Sequence, residues 1–303
     1  MEIIQINSLD GYVKAICDLK GKTISLMNEV LLFRGQSDKE KELLPYLGRR
    51  NKDNKQLLQQ ERNYIELAKL KMPDIFKNDF LPLELLALLQ HYGIPTRLMD
   101  VTENALVALY FACSSERNMD KDGEVFVFKH FEDDVTNYPI YQAIADSYRL
   151  VRGDNYSLEF FYIGATNQPY FSEQKIVYDL VFKNSKENQI MTMEKIVSGV
   201  CSKPIFVYAP IRTLRQRTQS GRYILFPNCI KKNSRLGEKQ FIKKITPLSK
   251  NHKCIKARLL ISCSAKRKIV SELRSFGITQ ESLYCDNIDS ICGDIKKYVE
   301  MKE

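Results

Sequence analysis

A polar knot between two apolar runs is the strongest constraint on how this chain folds. Leu86 to Phe111 reads LALLQHYGIPTRLMDVTENALVALYF. Leu85, Leu86, Leu88 and Leu89 fit a helix that starts near Pro82 and stops at Gly93, because glycine takes the left-handed C-cap conformation and Pro95 cannot continue a helix. A second helix is expected over 103–115, with the Thr102 hydroxyl as its N-cap and Glu103 at the positive helix end. His91, Tyr92, Thr96, Arg97, Asp100 and Thr102 then crowd into one turn. Packing explains the leucines and leaves the polar cluster unexplained.

The 303 residues are 44% apolar and 27% charged, which fits a folded globular chain with one large core or two modest ones. The N-terminal stretch has Glu2 and no apolar segment of signal-peptide length, and no apolar run reaches membrane-spanning length. A cytoplasmic location without membrane contact is the expectation. The eight cysteines show no C-x-x-C spacing and the three histidines are scattered. Reduced, mostly buried thiols and no metal site are therefore expected. GxGxxG, Walker A, HExxH and Ser-His-Asp patterns are missing from the sequence.

Charge is polarised along the chain. Residues 201–275 hold 19 Lys or Arg against 2 Asp or Glu, while the remainder holds 27 against 35. Such a block attracts a polyanion, whether nucleic acid, an acidic protein or a phosphate-bearing ligand. Acidic residues elsewhere, such as Glu132, Asp133 and Asp134, would offset part of it.

The coarse pattern is α+β, with N-terminal helices packed on a mostly antiparallel sheet, in a single domain over 1–303. Helices are expected over 8–28, from an Asn54 cap to Met72, over 82–92, 103–115 and 265–276, and from Ile288 to Glu300. Strands are expected at Val30 to Phe33, Glu124 to Lys129, Leu158 to Ile163, Lys175 to Phe182, Pro204 to Tyr208, Arg222 to Phe226 and Ile255 to Ser262. Lys231 to Lys250 reads as an exposed loop or basic hairpin.

Several residues admit two readings. Arg34 ends an apolar strand beside Gly35, which permits close backbone approach or positive φ. Its guanidinium either grips a phosphate or carboxylate, or pairs internally with Asp100 or Asp38. His91 is a general base or anchor near neutral pH, or it satisfies the last carbonyls of its helix. Arg97 and Asp100 are spaced to pair and order the turn, and Asp100 is the best carboxylate for chemistry. Tyr92 is a wall for a ring, or it simply packs.

The turn, as HYGIPTRLMDVT, resembles the HYGxPTRLxDxT signature of the FRG domain, and Phe33-Arg34-Gly35 stands upstream within LLFRGQSD. RQRTQSGRYILFP (Arg215 to Pro227) and ESLYCDNIDSICGDIKK (Glu281 to Lys297) resemble later family segments more loosely. Met99 and Val101 depart from the commoner leucine and tryptophan, and the last segment lacks its usual proline. The family is widespread in bacteria, often lies near mobile-element or phage-defence genes, and has been compared with the ADP-ribosyltransferase fold. That likeness implies a split sheet and a cleft for NAD, with Arg34 and Arg97 on phosphates and Tyr92 on the ring. Gly35, Gln36, Thr96 and Thr102 would complete the binding surface, and Asp100, Gln219 or His91 would carry the chemistry.

Gln219 stands where an acid is usual, and a glutamine cannot stabilise an oxocarbenium-like charge by Coulomb attraction. Glu238 is a second candidate for that role. The expected function is thus ADP-ribosyl transfer from NAD to a macromolecule, docked by the basic segment, in a defence or toxin setting. The rival is a non-catalytic module that senses a nucleotide or nucleic acid.

Overall fold

Val125, Phe126, Val127 and Phe128 are all fully buried, the mark of a strand covered on both faces. They lie in β4 (Gly123–Phe131). The computed structural model describes residues 1–21, 29–52, 54–131, 139–151, 153–171, 186–233 and 238–284. Around β4 it assembles β1 (Glu2–Ile6), β2 (Glu29–Gln36), β3 (Leu98–Thr102), β6 (Ile205–Val207), β7 (Gly221–Leu225) and β10 (Ile255–Ile261). The seven-stranded order is β1-β10-β4-β2-β3-β7-β6. The β1–β10 pair is parallel and every other neighbouring pair is antiparallel. A second, antiparallel sheet joins β5 (Asn155–Ser157), β9 (Lys239–Ile242) and β8 (Cys229–Lys232) in that order.

The two-residue period of the strands divides the core. Phe33, Val125 and Val127 face one cluster with α1 (Leu9–Gly21), α4 (Ala105–Cys113) and the helix Cys263–Ser275, through Tyr12, Val107 and Ile269. Leu32, Phe126 and Phe128 face the other side, against Leu43, Leu47, Met99 and Val101. In β10 the register slips between Ile255 and Ala257, so Ile255 joins the second cluster while Ala257, Leu259 and Ile261 join the first. A third cluster holds α3 (Pro82–His91) against Ile144, Leu158 and Phe161.

α4 lies directly on the sheet because two strand positions lack side chains. A Cβ on Gly35 would stand 1.8 Å from the Ala108 carbonyl oxygen, and one on Gly123 would stand 2.5 Å from that of Ala112. Gly35 is needed for this close approach, since its φ is not positive.

Several expectations change. The turn from Tyr92 to Thr102 contains a strand, β3, which carries Asp100 and Thr102, so these residues are not in a loop. Asn104 caps α4, accepting from the Leu106 and Val107 N–H groups, whereas Thr102 is a β3 residue. Leu158–Thr166 is a helix rather than a strand. Ser157 caps it by accepting from Glu159 N–H, and its buried residues Leu158, Phe161, Tyr162 and Ala165 recur at helical spacing. Asn54 has φ 61°, and a 3-10 turn (Leu57–Gln60) precedes α2 (Glu61–Lys71). Arg34 and Gly35 lie within β2, beyond the strand end expected at Phe33. β1 was not foreseen. The expected strand at 175–182 and the helix at 288–300 lie outside the described residues.

Other expectations match. Pro82 opens α3, and Gly93 at φ 80° closes it, with Ile94 N–H donating to Leu89 and Gly93 N–H to Gln90. Gly277, at φ 73°, follows the Cys263–Ser275 helix. Part of the expected 231–250 hairpin is present as the antiparallel pair of β8 and β9.

Candidate functional site

β2 and β3 share one residue pair, Phe33 with Thr102, and then part. Arg34 spans the opening: its Nη1 donates to the main-chain carbonyl of Asp100 at 2.5 Å. Its Nε is buried without a hydrogen-bond partner, and no carboxylate among the described residues forms a salt bridge with it. Burial lowers the basicity of the guanidinium, with Asp100 opposing and Arg49 adding to the shift.

The opening is a cleft of about 310 Å³. Arg34, Lys41, Arg49 and Arg215 line it, and Asp100 is the one carboxylate among its described lining residues. Aromatic wall comes from Phe111, Tyr223 and Tyr284. The Arg215 guanidinium lies 4.3 Å from the centre of the Tyr284 ring, and that of Arg49 lies 5.2 Å from the centre of the Tyr46 ring. Four cations against one carboxylate favour an anion, and the aromatic faces suit a planar ring.

Asp100 faces outward from β3, and its Oδ1 accepts from Gln90 Nε2 at 2.7 Å. The same Gln90 accepts from the Thr96 hydroxyl, so the α3 end and the β3 start are tied together. Thr102 donates to the Gln219 carbonyl at 2.6 Å, which fixes the segment before β7. The Gln219 amide nitrogen in turn donates to the Leu283 carbonyl at 3.0 Å. His91, the last residue of α3, sits 3.3 Å from the Thr213 hydroxyl through Nδ1. Thr213 opens a capping box with Gln216, whose amide also reaches the Tyr223 hydroxyl at 3.2 Å. Burial raises the Tyr223 phenol above its ordinary range.

The cleft therefore gathers Arg34, Gly35, Gln36, His91, Asp100, Thr102 and Gln219 from the expected set. Tyr92, Thr96 and Arg97 do not line it. Arg97 is 0% exposed and Glu61 is 3% exposed. The Arg97 Nε donates to Glu61 at 2.7 Å, its Nη2 binds the other carboxylate oxygen, and its Nη1 reaches the Phe226 carbonyl and Asn228 Oδ1. Arg97 thus neither pairs with Asp100 nor is free to hold a phosphate, because its donors are spent inside the core. Thr96 is buried and accepts from Leu98 N–H. Tyr92 is exposed and meets Phe76 edge-on at 5.8 Å. Asp38 binds Lys121 at 2.7 Å instead of Arg34, and Glu238 is not in the cleft wall.

Lys41, Arg49, Arg215 and Tyr284 were not singled out from sequence. Arg215 and Tyr284 do lie in the two later segments that resemble the FRG family. Lys41 and Arg49 carry no local signal, since a loop lysine and a loop arginine are ordinarily solvated.

Residues 29–121 match the family model described as the FRG domain. The match covers 93 of the 303 residues. No curated protein and no solved structure matches the chain. The FRG segment holds β2, α2, α3, β3 and α4, and so supplies Arg34, Lys41, Arg49, His91 and Asp100. Arg215, Gln219, Tyr223 and Tyr284 reach the cleft from beyond it.

Part of the positive charge in 201–275 is neutralised by acids elsewhere. Glu124, which is fully buried, takes Lys250 at 2.9 Å and Arg258 at 2.5 Å; Arg212 meets Glu84, and Arg222 meets Glu103. Lys203, Lys231, Lys232, Lys244 and Lys253 are exposed. Glu132, Asp133 and Asp134 lie outside the described residues. No helix among the described residues is long and apolar enough to cross a membrane.

Proposed function

We propose that the FRG cleft binds a nucleotide-like anion, with NAD as the substrate, and transfers ADP-ribose to a macromolecule in a defence or toxin setting. The observation that carries this reading is Arg34, held at the parting of β2 and β3 in a cleft of four cations and one carboxylate. Arg34, with Arg49 and Lys41 beside it, takes the pyrophosphate, and Gly35, Gln36 and Thr102 complete the wall. Tyr284 or Tyr223 packs against a ring.

In the reaction the bond between the ribose and the nicotinamide nitrogen breaks, and nicotinamide leaves with the electron pair. Positive charge grows on the ribose, where Asp100 stabilises it. The acceptor's nucleophile forms the new bond, and its proton passes to His91 or to water. Gln219 positions the segment through Thr102 and Leu283. The exposed lysines of 201–275 dock an anionic acceptor.

Incubation with labelled NAD and cell extract tests this. Label should reach protein or nucleic acid with wild type and be lost with Arg34→Ala and Asp100→Asn. A binding or sensor module is the second reading, favoured by the engagement of the Gln219 amide with Leu283. Nucleotide binding that depends on Arg34, with no free nicotinamide and no label, would select it.

A further inference from the structure

At the other end of β7 from the cleft lies a separate cavity of about 420 Å³, within the usual size range for small-molecule sites. The two share no lining residue. Its wall is formed by the end of the helix Lys186–Cys201, the end of β7, the β8–β9 hairpin and residues 246–252. No Asp or Glu among the described residues lines it.

The polar groups around this cavity offer donors. Lys203 is exposed at the rim. The Lys239 ammonium bonds the Ser198 hydroxyl at 3.2 Å, while the nearby Glu194 carboxylate is occupied by the Lys239 backbone N–H at 2.9 Å. His252 Nδ1 accepts from Cys254 N–H at 3.2 Å, so its ring proton is on Nε2 when the ring is neutral. Asn228 is 4% exposed, and its Oδ1 is committed to Arg97, which leaves only N–H groups to offer. The negative end of the helix Lys186–Cys201 opposes an anion with roughly half a charge. The two ammonium groups outweigh this half charge and the neighbouring Glu194 carboxylate together. The rest of the lining sets Ser202, Thr246 and Ser249 beside apolar residues, Phe226 and Leu248 among them.

We infer that this cavity is a second binding site, for a small phosphate monoester that carries an aromatic or apolar group, the chemistry of a nucleoside monophosphate. The phosphate meets Lys203, Lys239, His252 and Asn228, and the ring meets Phe226 and Leu248. The inference does not depend on the reaction proposed for the cleft.

Calorimetric titration with adenosine 5′-monophosphate and with inorganic phosphate tests the site. The nucleotide should bind more tightly than phosphate. The double variant Lys203→Glu, Lys239→Glu should weaken it by roughly 100-fold, since each of the two charged contacts is worth about tenfold. Thr246→Trp, at an exposed position, should block the cavity without removing charge. Lys41→Glu, in the first cleft, should leave this binding event intact. Absence of nucleotide binding would overturn the inference. So would binding indifferent to both cavity variants, or binding lost with Lys41→Glu alone.

Discussion

Arg34 and Asp100 are joined through the main chain: the arginine binds the aspartate's carbonyl at 2.5 Å, and the carboxylate is left to Gln90 and the cleft. The two functions of Asp100 are therefore separable. Asp100→Asn keeps both the carbonyl and an oxygen that can accept from Gln90. Stability should stay within about 0.5 kcal/mol of wild type. Turnover of NAD should fall by roughly 10²-fold, the usual cost of losing one charge-stabilising group. Unchanged turnover would remove Asp100 from the chemistry.

Arg97 and Glu61 form a buried pair far from any phosphate role. Removing either partner leaves an uncompensated charge in the core, at a cost of about 3–5 kcal/mol. Arg97→Ala and Glu61→Ala should each lower the urea midpoint strongly. Ligand binding per folded molecule should persist. A mild stability effect combined with lost nucleotide binding would return Arg97 to the site.

Gly35→Ala places a methyl 1.8 Å from the Ala108 carbonyl oxygen, so β2 or α4 must shift. Overpacking of this kind costs about 1–3 kcal/mol or more. Because β2 also carries Arg34, thermal melting and nucleotide affinity should fall together. A variant as stable as wild type would contradict the close contact.

Asp122 gives the fold an acid-sensitive link. Its Oδ1 accepts from Cys263 N–H at 3.0 Å and its Oδ2 faces Lys39 at 3.0 Å, which hold the carboxyl below its ordinary value of 3.8. A carboxyl lowered by folding adds stability that is present above the unfolded-state value and is lost as pH falls through the folded-state value. Urea unfolding of wild type should therefore weaken more than that of Asp122→Asn between about pH 5 and pH 2. Parallel declines would show that Asp122 is not titrating in this way.

Where the sequence has strong local signals, they correspond to structure. Gly93 and Pro95 announce the end of α3, and alternating Ala257, Leu259 and Ile261 announce β10. Leu-Glu-Phe-Phe-Tyr-Ile is rich in aromatic residues and reads as a strand, whereas the Ser157 cap and burial at helical spacing make it a helix. Local spacing pairs Arg97 with Asp100, but its partner in the fold, Glu61, is 36 residues away and nothing local marks it. Lys41, Arg49 and Tyr284 enter the cleft through tertiary contacts, which a one-dimensional pattern does not encode. By contrast, Arg34, Asp100 and Gln219 are drawn together from three distant motifs, which is why the family signature located the cleft.

Arg34 is the proposed anchor for a nucleotide anion. The most direct test is calorimetric titration of ADP-ribose into wild type, Arg34→Ala and Arg34→Lys, with folding checked by circular dichroism. Wild type should bind, and Arg34→Ala should lose roughly 10- to 100-fold in affinity. Arg34→Lys should recover little, because a point charge cannot reproduce the fork of the guanidinium. Equal affinity across the three folded proteins would contradict the account.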